Sequence, residues 1–179
     1  MRASTSPSAS ADPVETVVRR LSVPAGTELA RSLLRGVGED AVERHGAFSA
    51  ALGAVRAVGR RLDIDVPEVC AAASELGIDP REALAAERKL EAELSPPGDR
   101  DDVERLSSRI TAYAVLLDAL ENGVSADDLS VPVDDTVDFD AAAVSEHLGR
   151  LKADKAMAQL GFRLYDIARD DDYDEYDAA

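Results

Sequence analysis

AFSAALGAVRAVGRRL, residues 47–62, carries apolar or small side chains on nearly every side of the helix it predicts. Phe48, Leu52, Val55 and Leu62 form one stripe. Ala50, Ala51, Ala54, Ala57 and Val58 cover much of the remaining circumference. Such a helix belongs in the middle of a bundle, wrapped by other helices. The reading is therefore all-α, with 47–62 as the most buried segment.

Four more short helices follow from the segments around it, making five. Asp12-Pro13 is an N-cap with proline at the first helical position, and Val14, Val17, Val18 and Leu21 continue at helical spacing. Ser22-Val23-Pro24-Ala25-Gly26 breaks that helix. Thr27 caps the next, whose apolar face is Leu29, Leu33, Leu34 and Val37; Gly36 and Gly38 end it. The polar stretch 39–46 reads as partly helical. Beyond the centre, Asp65-Val66-Pro67 starts a short helix over 67–76, Gly77-Ile78 turns the chain, and Asp79-Pro80 opens a helix over 80–94. Its buried stripe is Ala83, Ala86, Leu90 and Leu94. Ser95-Pro96-Pro97-Gly98-Asp99 marks the clearest boundary. Residues 12–95 thus form a five-helix orthogonal bundle and 96–100 a linker.

A long helical hairpin is expected over 101–169. Val103, Leu106, Ile110, Tyr113, Leu117 and Leu120 recur at heptad spacing on a helix of 102–121. Residues 124–137 read as a polar loop. The last helix, 139–169, has one stripe at Val144, Leu148 and Leu151 and a second at Met157, Leu160, Leu164 and Ile167. The offset between them predicts a kink near Lys152 or two partners on two faces. One stripe is assigned to the seam and the other to the N-terminal bundle or a second subunit. Met157, Leu160 and Leu164 are the candidate partner interface, and a dimer through them is one outcome. Residues 1–11 read as a disordered leader, and 170–179 as an acidic disordered tail.

Asp and Glu number 36 against 20 Lys and Arg, a net charge of −16. Residues 14–94 carry −3 and residues 95–179 carry −13. High Asp and Ala with 17 Arg but 3 Lys fits adaptation to the molar salt of a halophilic archaeon's cytoplasm. The competing reading is an acidic surface for a basic partner. At about 1 M salt the Debye length is roughly 3 Å, so a negative total does not prevent local arginines from meeting phosphate.

The chemistry-bearing residues are few. One cysteine, Cys70, excludes a disulfide framework or cysteine-based zinc module, and among alanines it reads as a small buried hydrophobe. His45 and His147 are far apart in sequence, and no metal site is assigned. No stretch approaches eighteen apolar residues, so no membrane span is expected. No phosphate loop, nucleophile triad or HExxH occurs. The chain is read as non-enzymatic, with no catalytic residues and no cofactor.

The strongest local feature is 66–94, a helix-turn-helix shape with Ala73 at the crossing, Gly77 in the turn and Ile78 plugging the core. Its second helix would dock on DNA. That helix offers no Asn, Gln, Ser or Thr to base edges, and Glu82, Glu87, Glu91 and Glu93 would repel phosphate, so plain bundle packing is the competing reading. Arg56, Arg60 and Arg61 form a basic cluster at the end of the central helix, fit either for phosphate or for the helix dipole. With Arg81, Arg88 and Lys89 they are the candidate nucleic-acid contacts.

Residues 14–94 resemble a cyclin-box repeat of the archaeal transcription factor B family. The matching stretches are RRLSVPAGTELARSLLR (19–35) and AALGAVRAVGRRLDIDVPEVCAAASELGIDPREALAAERKLEAEL (50–94). The counterparts of the family's pattern are Leu21 to Pro24, Ala30-Arg31, Ala50 to Arg61, and Arg88 through Leu94. The family's zinc ribbon is absent, and its second repeat is not recognisable in 103–169. The resemblance implies a cytoplasmic, transcription-related adaptor with a protein partner in the transcription machinery and DNA within reach. The alternative is a helical oligomer or scaffold that binds proteins through the 103–120 seam, without nucleic acid.

Overall fold

A computed structural model describes residues 12–124 and 140–177, with side chains through 170, and all the regular structure there is α-helical. The expected leader and the polar loop at 125–137 lie outside the described residues. The chain divides into two compact units: residues 1–95 with 163–179, and residues 96–162.

In the first unit, α1 (Pro13–Leu21), α2 (Thr27–Val37), α3 (Glu39–His45), α5 (Val69–Leu76) and α6 (Pro80–Ala92) all touch α4 (Ala47–Leu62). Leu52 and six alanine and valine neighbours on α4 are fully or almost fully buried, whereas Phe48 is exposed and Leu62 half-buried. The bundle has six helices where the periodicity predicts five. The added one is α3, which buries only Ala41 and so has no apolar stripe to reveal it. Acids in its first turn and Arg44 and His45 in its last complement the helix dipole.

Local signals set the ends of several helices. Asp12 and Asp79 accept from the backbone amides of Val14 and Arg81, and proline follows each. Gly77, at φ 71°, closes α5: Ile78 donates to the Ala73 carbonyl at 3.0 Å and Gly77 to that of Ser74, an end that favours glycine because φ is positive. Ile78 is half-buried rather than a core plug.

The second unit is an α-hairpin of α7 (Arg100–Glu121) and α8 (Ala141–Leu160). Tyr113 and Leu116 of α7 pack with Val144, Leu148 and Leu151 of α8, and Leu106, Ile110, Leu117 and Leu120 are half-buried against them. The predicted seam is thus covered by α8, with Leu116 added. The His147 ring lies 4.5 Å from the Tyr113 ring, and its Nε2 is buried without a hydrogen-bond partner among the described residues.

The predicted last helix is two. The break falls at Gly161 (φ 76°, ψ 152°) rather than near Lys152, and α9 (Phe162–Asp177) follows. The six-residue step from Leu151 to Met157 falls inside the unbroken α8. The first stripe serves the hairpin core. Of the second, Leu164 and Ile167 are buried, and Ile167 packs over Gly36 of α2 inside the first unit. α9 continues to Asp177, so the segment read as a disordered tail from 170 is helical to that point; no glycine or proline interrupts it.

Candidate functional site

α4 and α6 cross closely because Gly53 lacks a side chain. A Cβ there would lie 2.8 Å from the Glu87 amide nitrogen and 3.0 Å from its Cα. At this crossing a carboxylate enters the core: Glu87 is 1% exposed. Arg56 donates through Nε to Glu87 Oε2 at 3.0 Å, and Arg60 donates through Nη1 to Oε1. Arg60 also reaches Glu91 at 3.0 Å and Arg61 reaches its other oxygen at 3.6 Å. Arg61 donates to the Ser95 carbonyl at 2.9 Å, and Arg56 to the Pro67 carbonyl at 2.5 Å. Burial works against the Arg60 cation, but Glu91 and Glu87 more than offset it and raise its pKa.

This geometry corrects half of the predicted nucleic-acid set. The side chains of Arg56 and Arg61 are largely buried, and Arg60, though half-exposed, is committed to two carboxylates. They hold α6 instead of facing solvent, because two acids one turn apart on α6 meet three arginines on α4. Lys89 is partly covered and pairs with Asp40 at 2.9 Å. Arg81 and Arg88 are exposed, and neither makes an ion pair among the described residues.

The acids that argue against DNA on α6 are mostly redirected. Glu87 is buried, Glu91 faces the arginines, and Glu82 lies 2.7 Å from His45 Nδ1. Glu93, past the end of α6, stays exposed. At about 100° per residue, Arg81, Leu84, Ala85, Arg88 and Ala92 share one outward arc. That arc contains no acid. The sequence pattern missed this because Glu87 lies among Ala83, Ala86 and Leu90, and only a basic partner across the crossing offsets the desolvation of its carboxylate. The sequence signal was the pair of spacings: Arg56, Arg60 and Arg61 on one helix, Glu87 and Glu91 on the next.

Two further expectations are corrected. Cys70 is exposed, because α5 turns Ala72 and Ala73 inward. Leu160 and Leu164 are buried, which leaves Met157, 39% exposed, as the accessible member of the proposed partner interface. The trio does not lie together in solvent.

An open groove lies where α1 ends and α2 begins, lined by Val18, Arg19, Pro24, Leu29 and Arg31 among others. Arg31 is engaged there by Asp12, Glu15 and Glu28. No described helix is long and apolar enough to cross a membrane. No family model, curated protein or solved structure matches this chain.

Proposed function

We propose that the chain is a non-enzymatic, transcription-related adaptor of a halophilic archaeal cytoplasm, built on a cyclin-like bundle and docking on duplex DNA through α6. The observation that carries this reading is the outward arc of α6, with Arg81 and Arg88 exposed and two turns apart on the second of two helices joined by a glycine turn, and with the flanking Glu82 and Glu91 paired to His45 and to the α4 arginines. Two arginines in a major groove can hold phosphate or guanine O6 and N7, and a half-buried leucine and two alanines let the helix approach closely. Each neutralised phosphate contributes a salt slope of about −0.9, so a site resting on two arginines withstands molar salt better than a broad basic surface. A protein partner in the transcription machinery follows from the same resemblance to a cyclin-box repeat.

The test is anisotropy with a labelled pool of random-sequence duplex DNA in about 1 M KCl, near the salt where the screening length is roughly 3 Å. Wild-type protein binds, and R81A/R88A binds at least about tenfold more weakly, the scale set by removing an arginine from a base or phosphate. Wild-type protein that leaves the pool unbound overturns the reading. The scaffold alternative is kept by one observation: Leu106, Ile110, Leu117 and Leu120 of the seam are only partly buried against the hairpin core. Light scattering in molar KCl decides it, since a monomer removes self-association through that seam.

A further inference from the structure

The two faces of α6 carry the same apolar side chains. Ala83, Ala86 and Leu90 point into the bundle; Leu84, Ala85 and Ala92 point away from it. Burial of either set contributes a similar hydrophobic gain. Gly53 brings the backbones close but has no side chain to key one rotation of α6 over another. What distinguishes the faces is charge. In the observed rotation α4's guanidinium groups meet Glu87 and Glu91. Rotated by half a turn, at about 100° per residue, α6 would bring Lys89 towards those same arginines, turn Arg81 and Arg88 into the bundle and take Glu87 away from its partners.

We propose that the Arg56–Glu87 pair sets the rotation of α6 about its own axis, and so selects which side chains form its outward face. Arg56 is suited to this because it also holds the Pro67 carbonyl, on the segment leading into α5. One guanidinium thereby orients both helices of the helix-turn-helix against α4. A buried ion pair adds little net stability, since desolvation offsets much of the attraction. Its use here is to make one of two similar packings unique. These are positioning residues: neither reaches the outward face.

The experiment compares wild-type protein with R56M/E87M, which replaces the pair by apolar side chains of similar volume and leaves Arg60 its contact with Glu91. Three measurements are made in about 2 M KCl, where surface charges are screened within a few Å: the thermal midpoint, the amide nitrogen–proton spectrum, and binding to the duplex pool. The expected variant melts at or above the wild-type midpoint and shows doubled or broadened resonances confined to α5 and α6. It binds DNA at least about tenfold more weakly, as expected when one arginine no longer faces the groove. A single sharp set of α6 resonances with the wild-type solvent-exchange pattern overturns the inference. So does loss of the fold, because the pair would then supply stability rather than orientation. The DNA measurement rests on α6 being the docking helix. If wild-type protein does not bind, that reading fails alone, and the amide spectrum still judges the rotation.

Discussion

The α4–α6 contact and the α7–α8 contact solve the same packing problem with opposite materials. The first uses Gly53, Ala83, Ala86 and a buried carboxylate between arginines. The second uses Tyr113, Leu116, Leu148 and Leu151, large side chains whose shapes interlock. Large side chains specify rotation by shape, since a turned helix no longer fits. Alanine and glycine allow closer approach but specify little, so charge must choose the orientation. Each unit carries −8 of the total, but the hairpin unit holds it on 67 residues and the bundle unit on 112.

The largest effect expected from this contrast is Leu52→Asp. It places a carboxylate at the fully buried centre of α4, while the arginines of that helix are already committed to Glu87 and Glu91. The penalty of several kcal/mol is comparable to the whole stability of a small domain, about 5–15 kcal/mol. Circular dichroism should show the bundle's helicity lost. A folded bundle would break the claim that α4 tolerates charge only at the arginine end.

Removing salt is the next largest. The hairpin unit should loosen first as screening is withdrawn, because self-repulsion rises with charge density and its −8 is carried on fewer residues. Hydrogen exchange in dilute buffer against about 2 M KCl should show α7 and α8 losing protection before α4. Equal protection in both conditions would instead favour an acidic surface kept for a basic partner.

Two glycines sharpen the comparison further. Gly53→Ala forces a methyl against the α6 backbone and should destabilise the bundle by about 1–3 kcal/mol. A Cβ at Gly149, in the middle of α8, meets nothing within 4 Å. Gly149→Ala should therefore stabilise the hairpin by about 0.5–1 kcal/mol. Opposite signs in urea melts would support the two packing modes; a neutral Gly53→Ala would contradict the close approach.

The smallest effect is at acid pH. Burial pushes the Asp12 carboxyl up, but Arg31 and backbone amides outweigh it and hold the pKa below the usual 3.8. The Lys89 ammonium, with Arg44, holds exposed Asp40 below 3.8. Both groups favour the folded state fully above the ordinary carboxylate value, and that contribution is lost as pH falls through their lowered native values. Asp40→Asn should flatten the acid limb of the stability curve, with little change in its shape near neutrality. An unchanged acid limb would show that the α3–α6 pair contributes nothing measurable.

The helical class, the burial of 47–62 and several helix ends were legible in the residues alone, because caps and glycine turns act locally. Asp12-Pro13, Gly77 and Asp79-Pro80 need only their neighbours. Gly161 was equally legible as a local break, but the recurring leucines on both sides masked it. Other placements depended on packing between helices distant in sequence: Glu87 goes inward, Arg56 and Arg61 are held inside the bundle, Cys70 faces out, and Arg81 and Arg88 share the free face of α6. A chain rich in alanine presents similar faces in several directions, and the choice among them is made by the charge on the helix it meets.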